Sequence, residues 1–187
     1  MMNQFNFANA VMAIPEKLMA LSDDPATQMS MLFPICKYNV HVIPSTAPIG
    51  EAEATIKRAT ASLCRRAALA CLAKACANWK PDSWDEAQII RQKIAELFSD
   101  EIIIAADEGN TETVAALRAL RARVLDHLAS AAGERPHLTI VKRNKPLPSL
   151  LLAQQLYADG LRAQELTKRA GATHPAFMPT SFQALTS

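Results

Sequence analysis

The sequence is poor in glycine and in aromatic residues. Its 187 residues include 5 glycines, which are scattered, so no glycine-rich loop is present to cradle a phosphate group. Aromatic residues make up 5% of the chain, whereas hydrophobic residues make up 50% and alanine is abundant. This composition excludes a disordered or collagen-like chain and favours closely packed helices over a sheet. We therefore predict a mainly α protein.

Long apolar runs and a strong charge imbalance are also missing. No stretch approaches the roughly 18 apolar residues that a bilayer-spanning helix needs, and the first ten residues lack the features of a secretion signal. We expect synthesis in the cytoplasm of a bacterial host and no membrane span. The 20 basic and 18 acidic residues give a net charge of +2, which is too small for a dedicated nucleic-acid binder.

Motifs for catalysis and metal binding are absent from the sequence. HExxH, CxxC and DxDxDG patterns do not occur, and the histidines stand in unrelated segments. Pairs of carboxylates such as Asp100 and Glu101 fit helix ends or solvated faces. The 4 cysteines, Cys36, Cys64, Cys71 and Cys76, have spacings that favour reduced packing residues over a disulfide or a zinc site. We predict no enzyme, no cofactor and no metal.

Three segments follow from the hydrophobic pattern. Residues 1–50 predict a helix interrupted near Pro15 and then an apolar arm from Phe33 to Ile43, for which a strand remains an alternative. Residues 51–133 predict an α-helical domain of three helices. Its first helix, from Glu51 to about Trp79, is apolar on two faces, which is typical of a central helix or of one shared with another subunit.

The second helix of this domain extends from Trp84 to about Asp107, although three β-branched residues in a row, Ile102 to Ile104, weaken the helical prediction there. Gly109-Asn110-Thr111 stops that helix and caps the third.

Residues 134–187 change in character and predict a small α+β module. Leu138 to Val141 reads as a strand, Pro148 opens a helix that ends at Tyr157, and a second short helix follows. The last residues return as an extended segment, which gives the order strand, helix, helix, strand.

The residues of this segment resemble a known family. The relevant residues are Leu151 to Tyr157, Arg162, Glu165, Leu166, Arg169, His174, Pro175, Phe177, Pro179 and Leu185. Over residues 136–186 they are similar to the C-terminal end of the DNA circularisation (DNA circulation) proteins of Mu-like tailed bacteriophages, and the module resembles the lysin-motif (LysM) fold. The chain departs from the family pattern after Tyr157, where Ala158-Asp159-Gly160 replaces Gly-Asp. We expect the left-handed turn to move to Gly160.

The resemblance implies a structural component of a phage tail. Such a protein acts as an adaptor in the baseplate or tube end and contacts other tail proteins of the hub, tube or wedge. It is found in the virion and is present as a homo-oligomer or in several copies in a ring. The candidate residues for an interface or for the module core are Leu152, Leu156, Tyr157, Leu166, His174, Pro175, Phe177 and Leu185.

Two alternative functions remain open. A small helical nucleic-acid-binding protein would use the compact basic turn of Lys142, Arg143 and Lys145, although no aromatic platform accompanies it. A peptidoglycan-binding module is the weaker alternative, since many lysin motifs recognise glycans. His174, which precedes a proline, has no catalytic partner in the sequence, and we expect it to anchor the last segment together with Phe177.

Overall fold

Helices dominate the structure, a computed structural model that describes residues 4–42, 47–133 and 135–186. The elements in chain order are α1 (Gln4–Met19), α2 (Pro25–Cys36), α3 (Pro48–Asn78), α4 (Trp84–Asp107), α5 (Thr111–Ala132), β1 (Leu138–Lys142), α6 (Ser149–Tyr157), α7 (Ala163–Arg169) and β2 (Ser181–Leu185). One turn of 3₁₀ helix, Gly160–Arg162, precedes α7. The predicted mainly α fold is confirmed, and so is the C-terminal order of strand, helix, helix and strand.

The chain divides into two units whose residues alternate along the sequence. The first unit extends to Lys80 and resumes over Ile90–Ser130, and the second contains Pro81–Ile89 and the residues from Ala131 onward. The segment Pro81–Ile89 therefore belongs with residues that lie about fifty positions further along the chain. Composition alone placed the boundary near residue 134 and gave no sign of this earlier segment.

Short polar residues cap the starts of α2, α4 and α5. The Asp24 carboxylate accepts a hydrogen bond from the Thr27 amide at 2.9 Å at the start of α2. Gly109, with a φ of 73°, ends α4, and the Asn110 side chain accepts from the Thr113 amide at the start of α5. The sequence-based prediction of a stop and a cap at these two residues is confirmed.

Two prolines lie inside helices, one where an interruption was predicted and one where an extended arm was predicted. Helix α1 continues through Pro15, and α2 continues through Pro34 to Cys36. The predicted interruption near Pro15 and the predicted extended arm at Phe33 and Ile35 are therefore wrong. An internal proline removes one backbone hydrogen bond, and burial of the Pro15 ring offsets that cost. The arm as predicted also included Ile43, which lies outside the described residues.

Helix α3 is the longest element and buries one face in the first unit. Alanines spaced by seven form this face and allow close approach of neighbouring helices: Ala54, Ala61, Ala68 and Ala75. Leu69, Leu72 and Cys76 widen it, and Met29 and Leu32 of α2 are buried in the same unit. The predicted burial of both faces is wrong in part: Cys71 on the other face is buried, but Ile56 and Ala70 on that face are exposed.

Candidate functional site

The C-terminal module is built on a two-stranded antiparallel sheet. Strand β1 pairs with β2 in a register that places Leu138 opposite Leu185 and Lys142 opposite Ser181. The core of the module is formed by side chains of α6, α7, β2 and the loop before β2. These residues are Leu152, Ala153, Leu166, Met178, Phe182 and Ala184. Of the predicted interface or core residues, Leu152, Leu166 and Leu185 are buried, while Leu156 and Tyr157 pack against the core from partly exposed positions.

Tyr157 ties the end of α6 to the last strand. Its hydroxyl oxygen accepts a hydrogen bond from the Leu185 amide at 3.0 Å, and the Arg162 guanidinium lies 3.8 Å from the centre of its ring. Glu165 accepts two hydrogen bonds from Arg162, at 2.9 and 3.1 Å, and these bonds raise the pKa of that guanidinium. The arrangement holds α6, the 3₁₀ turn and β2 together, so Tyr157 has a structural role.

The left-handed turn after Tyr157 occurs at an alanine. Ala158 has a φ of 54°, and its amide donates to the Gln154 carbonyl, which closes α6. Positive φ values occur at Gly109 and Gly171, whereas Gly160 is not among the positive-φ residues. The expectation that the turn would move to Gly160 is wrong, because the length of α6 fixes which residue must reverse the chain.

Replacing Ala158 by Gly should stabilise the module. A left-handed conformation costs an L-residue roughly 1–2 kcal/mol, and glycine adopts it at lower cost. Glycine also increases the conformational entropy of the unfolded chain, which offsets part of this gain in stability. We expect Ala158→Gly to raise the free energy of unfolding by about 0.5–1 kcal/mol in urea titrations. The matched control is Ala170→Gly, at the end of α7 with a φ of −72°, which should lower stability by a similar amount. A lower free energy of unfolding for both variants would contradict this interpretation.

The loop before β2 carries the predicted residues His174, Pro175 and Phe177 on the outside of the module. All three are exposed, and the Phe177 ring is 73% exposed. The His174 Nδ1 accepts a hydrogen bond from the Ala176 amide, and the His174 and Phe177 rings lie 6.1 Å apart. The rings therefore face solvent, and the expected anchoring of the last segment does not come from them.

Backbone hydrogen bonds fix this loop instead. The Pro175 carbonyl accepts from the Ser149 amide at 2.7 Å, and the Met178 amide donates to the Leu147 carbonyl at 3.1 Å. The Thr180 carbonyl accepts from the Arg143 amide at 2.7 Å. Together with the buried Met178 side chain, these bonds hold the loop after β1 and the loop before β2 against each other. Such contacts between backbones leave no sequence signal.

The segment Pro81–Ile89 completes the second unit. The Asp85 carboxylate accepts a hydrogen bond from the Leu138 amide at 2.6 Å and lies 3.6 Å from His137 Nδ1. The Trp84 amide donates a hydrogen bond to the Pro136 carbonyl, and the centre of the Trp84 ring lies 4.8 Å from that of the His137 ring. The Arg169 guanidinium forms an ion pair with the Asp82 carboxylate. The start of α4 thus fixes the first residues of β1, which sequence reasoning missed.

The basic turn after β1 is only partly available to a ligand. Lys142 and Lys145 are exposed, whereas Arg143 is partly buried and its backbone amide is engaged with Thr180. Two exposed lysines make a small positive footprint compared with the several phosphate contacts that nucleic-acid binders use. Nucleic-acid contact at these residues stays a prediction.

A buried ion-pair network crosses the first unit from α3 to α4. Glu101, which is 1% exposed, accepts from Arg65 Nε at 2.6 Å and from Arg66 Nε at 2.7 Å. Arg65 also donates to the Tyr38 carbonyl and to the Ser62 hydroxyl. The expectation that the Asp100-Glu101 pair lies on a solvated face is wrong for Glu101, because two arginines of α3 compensate its charge inside the unit.

Glu108 extends the network to the surface. Its carboxylate accepts from Arg66 Nη2 and from the Ser62 hydroxyl. Partial desolvation raises the pKa of Glu108, but the hydrogen bonds from Arg66 and Ser62 outweigh it and leave the pKa lowered. Since the folded-state value is below the unfolded one, its stabilising contribution is present at neutral pH and lost as the pH falls through the folded-state pKa.

A cavity of about 410 Å³ lies beside this network. Its lining combines charged and apolar side chains, including Arg58, Arg65, Asp107, Val40 and Val42. All three nitrogens of the Arg65 guanidinium already donate hydrogen bonds, to Glu101, Tyr38 and Ser62, which fixes its position and leaves two of its five N–H groups for other partners. We assign the network a role in folding.

The cysteines are free thiols within the helices of the first unit. Cys36, Cys71 and Cys76 are buried, and Cys64 is partly exposed. Desolvation raises the pKa of Cys36 and of Cys76 to about 12, so both stay protonated and unreactive at neutral pH. The prediction of reduced packing residues is confirmed for the three buried cysteines.

Neither a metal cluster nor a membrane-spanning helix is found in the described part of the chain. Within residues 4–42, 47–133 and 135–186, no group of three or more His, Cys, Asp or Glu side chains is placed to hold a metal ion. In the same part of the chain, none of the helices has the length and apolar character needed to cross a bilayer. Neither a protein-family model nor a curated protein matches this chain.

Proposed function

We propose that this protein is a non-enzymatic assembly component of a phage tail, acting as an adaptor in the baseplate or tube end. The similarity of residues 136–186 to the DNA circularisation proteins of Mu-like phages supports the proposal. The helical body and the C-terminal module would each contact other tail proteins, and the protein would be present in several copies in the virion.

The observation that carries this proposal is the presentation of Phe177. The Phe177 ring is 73% exposed and takes no part in the core of the module, which is formed by six other residues. The loop that carries it is fixed by backbone hydrogen bonds from Ser149 and Met178, so little entropy is lost when a partner covers the ring. Aromatic side chains held in this way are frequent anchors of protein interfaces.

The test uses purified phage tails and a variant of the exposed ring. We expect mass spectrometry of tail fractions to detect the protein, and Phe177→Glu to reduce its incorporation at least tenfold without changing its unfolding curve. The control Thr173→Glu adds the same charge to the same exposed loop but keeps the ring. Tails that assemble fully and lack the protein would refute the proposal.

A further inference from the structure

The backbone groups of β1 point alternately towards β2 and away from it. The Arg143 amide donates a hydrogen bond to the Thr180 carbonyl, and at the other end of the sheet the Thr186 amide donates to His137. Because an antiparallel ladder repeats every two residues, these bonds fix the direction of each amide and carbonyl between them. The residues of β1 whose amide and carbonyl point away from β2 are Leu138, Ile140 and Lys142.

The outer side of β1 is closed at the first of these residues and open at the other two. The Leu138 amide donates to the Asp85 carboxylate at 2.6 Å. For the outward amides and carbonyls of Ile140 and Lys142, no hydrogen-bond partner is found among the residues that the structure describes. The Ile140 side chain is 65% exposed, and Lys142 is exposed as well. We call the backbone donors and acceptors of Ile140 and Lys142 the β1 edge.

The β1 edge is suited to an extended polypeptide segment. An unpaired strand edge is a template on which a further strand forms main-chain hydrogen bonds. A second copy of β1 fits poorly. Antiparallel pairing centred on Ile140 would require the Leu138 amide of each copy to donate to the Lys142 carbonyl of the other, and that amide already donates to Asp85. We therefore assign the edge to a segment of another protein.

Charge complementarity indicates that this segment is acidic. Between residues 135 and 158 the chain contains four lysines and arginines and no aspartate or glutamate. Lys142 belongs to the edge, Lys145 follows in the next turn, and both are exposed. Since Ile140 and Lys142 are two residues apart in a strand, their side chains lie on the same face of the sheet. An antiparallel segment would place an apolar side chain opposite Ile140 and, two residues before it, a carboxylate opposite Lys142.

We propose that the β1 edge binds an extended acidic segment of another protein, which adds to the sheet as an antiparallel third strand. The preferred sequence of the segment is an acidic residue, any residue and then an apolar residue. The proposal deepens the assembly role given above by naming the chemistry of one partner, and it rests on that role for its biological use. The surface is separate from the Phe177 ring, so the two can be tested independently.

The first test measures binding of a fluorescently labelled peptide, Glu-Thr-Glu-Thr-Val-Thr, to the full chain by fluorescence anisotropy. We expect saturable binding that methylation of the valine nitrogen weakens roughly tenfold or more, because the methyl group removes the donor to the Ile140 carbonyl. The matched control carries the methyl group on the nitrogen of the preceding threonine, which points away from β1, and should bind within about threefold of the parent peptide. Equal loss of binding for the two methylated peptides would overturn the proposed strand pairing.

The second test changes the edge itself. Ile140→Pro removes the outward donor and should weaken peptide binding roughly tenfold or more, whereas Ile140→Ala keeps the amide and should stay within about threefold. The Ile140 amide takes no part in the ladder with β2, so amide exchange at Phe182 should remain slow in both variants. Lys142→Glu should weaken binding about fivefold or more at low salt, and the control Lys168→Glu, at an exposed position on α7, should not.

Three results would contradict the proposal. The first is a wild-type chain that shows no saturable binding of the peptide up to about 1 mM. The second is an Ile140→Pro variant that remains folded and binds the peptide as the wild type does. The third is binding of a single-stranded oligonucleotide but not of the peptide, which would identify a nucleic acid as the partner of the basic turn. A chain that binds no peptide but is found in purified tails would refute the β1 edge proposal and leave the assembly role standing.

Discussion

Replacing Glu101 by Gln lowers the free energy of unfolding by about 3–5 kcal/mol, the cost typical of breaking a buried ion pair by removing one partner. The carboxylate is 1% exposed and accepts hydrogen bonds from both Arg65 and Arg66. A neutral amide leaves the Arg65 charge, which is 9% exposed, without its counter-charge. The NH₂ group of the new amide would also face one of the two guanidinium groups, and neither group can accept a hydrogen bond from the other.

Urea unfolding followed by circular dichroism and by the fluorescence of buried Trp79 measures this loss. The control is Asp100→Asn, which removes the neighbouring but exposed carboxylate and should change stability by less than about 0.5 kcal/mol. The double variant Arg65→Met with Glu101→Leu should be more stable than Glu101→Gln. It removes both buried charges, whereas Glu101→Gln leaves the charge of Arg65 buried without its partner. Similar small losses for Glu101→Gln and Asp100→Asn would show that the network does not stabilise the fold.

Truncating Leu152 to Ala should cost about 2–5 kcal/mol, because it opens a cavity in the small core of the C-terminal module. The side chain is 1% exposed and shares this core with Leu166, Met178 and Phe182. A core of so few residues cannot redistribute packing around a lost side chain, so the cost should lie towards the upper end of the range.

Amide hydrogen exchange at Phe182 and Ala184 reports the stability of the module separately from the helical unit. The matched control is Leu150→Ala on the same helix, where the side chain is 64% exposed and the expected loss is below about 0.5 kcal/mol. If amide exchange became faster to the same degree in both variants, the loss of stability would not depend on the burial of the truncated side chain. Faster exchange only for Leu152→Ala confirms the module core.

Local sequence signals predicted most of the secondary structure of this protein. Helix α4 begins and ends where the periodicity placed it, at Trp84 and Asp107, and Gly109 with Asn110 separates it from α5 as expected. The run Ile102 to Ile104 weakened the helical interpretation, but the helix continues through it. Tertiary packing of Ala105 and Phe98 overrides the lower helix propensity of β-branched residues.

Long-range partners were beyond the reach of the sequence. Nothing in the sequence around Glu101 indicates that its carboxylate is buried and paired with Arg65 and Arg66, which lie thirty-six and thirty-five residues earlier. The same holds for Asp85 and Leu138, and for the backbone bonds that fix the loop of Phe177. Ala158 was missed for a related reason, since helix length rather than residue preference determined where the chain reverses.

The pairing of Asp85 with Leu138 also bears on the order in which a ribosome releases the chain. The Asp85 carboxylate emerges fifty-three residues before Leu138, whose amide donates to it, so the second unit gains this contact late in translation, whereas all residues of the first unit have been made once Ser130 is added. A nascent chain arrested before residue 138 would hold helices α1 to α5 without either strand of the sheet and without α6 and α7. Premature termination before residue 138 is therefore expected to leave the segment Pro81–Ile89 without its partners in the second unit and open to proteases.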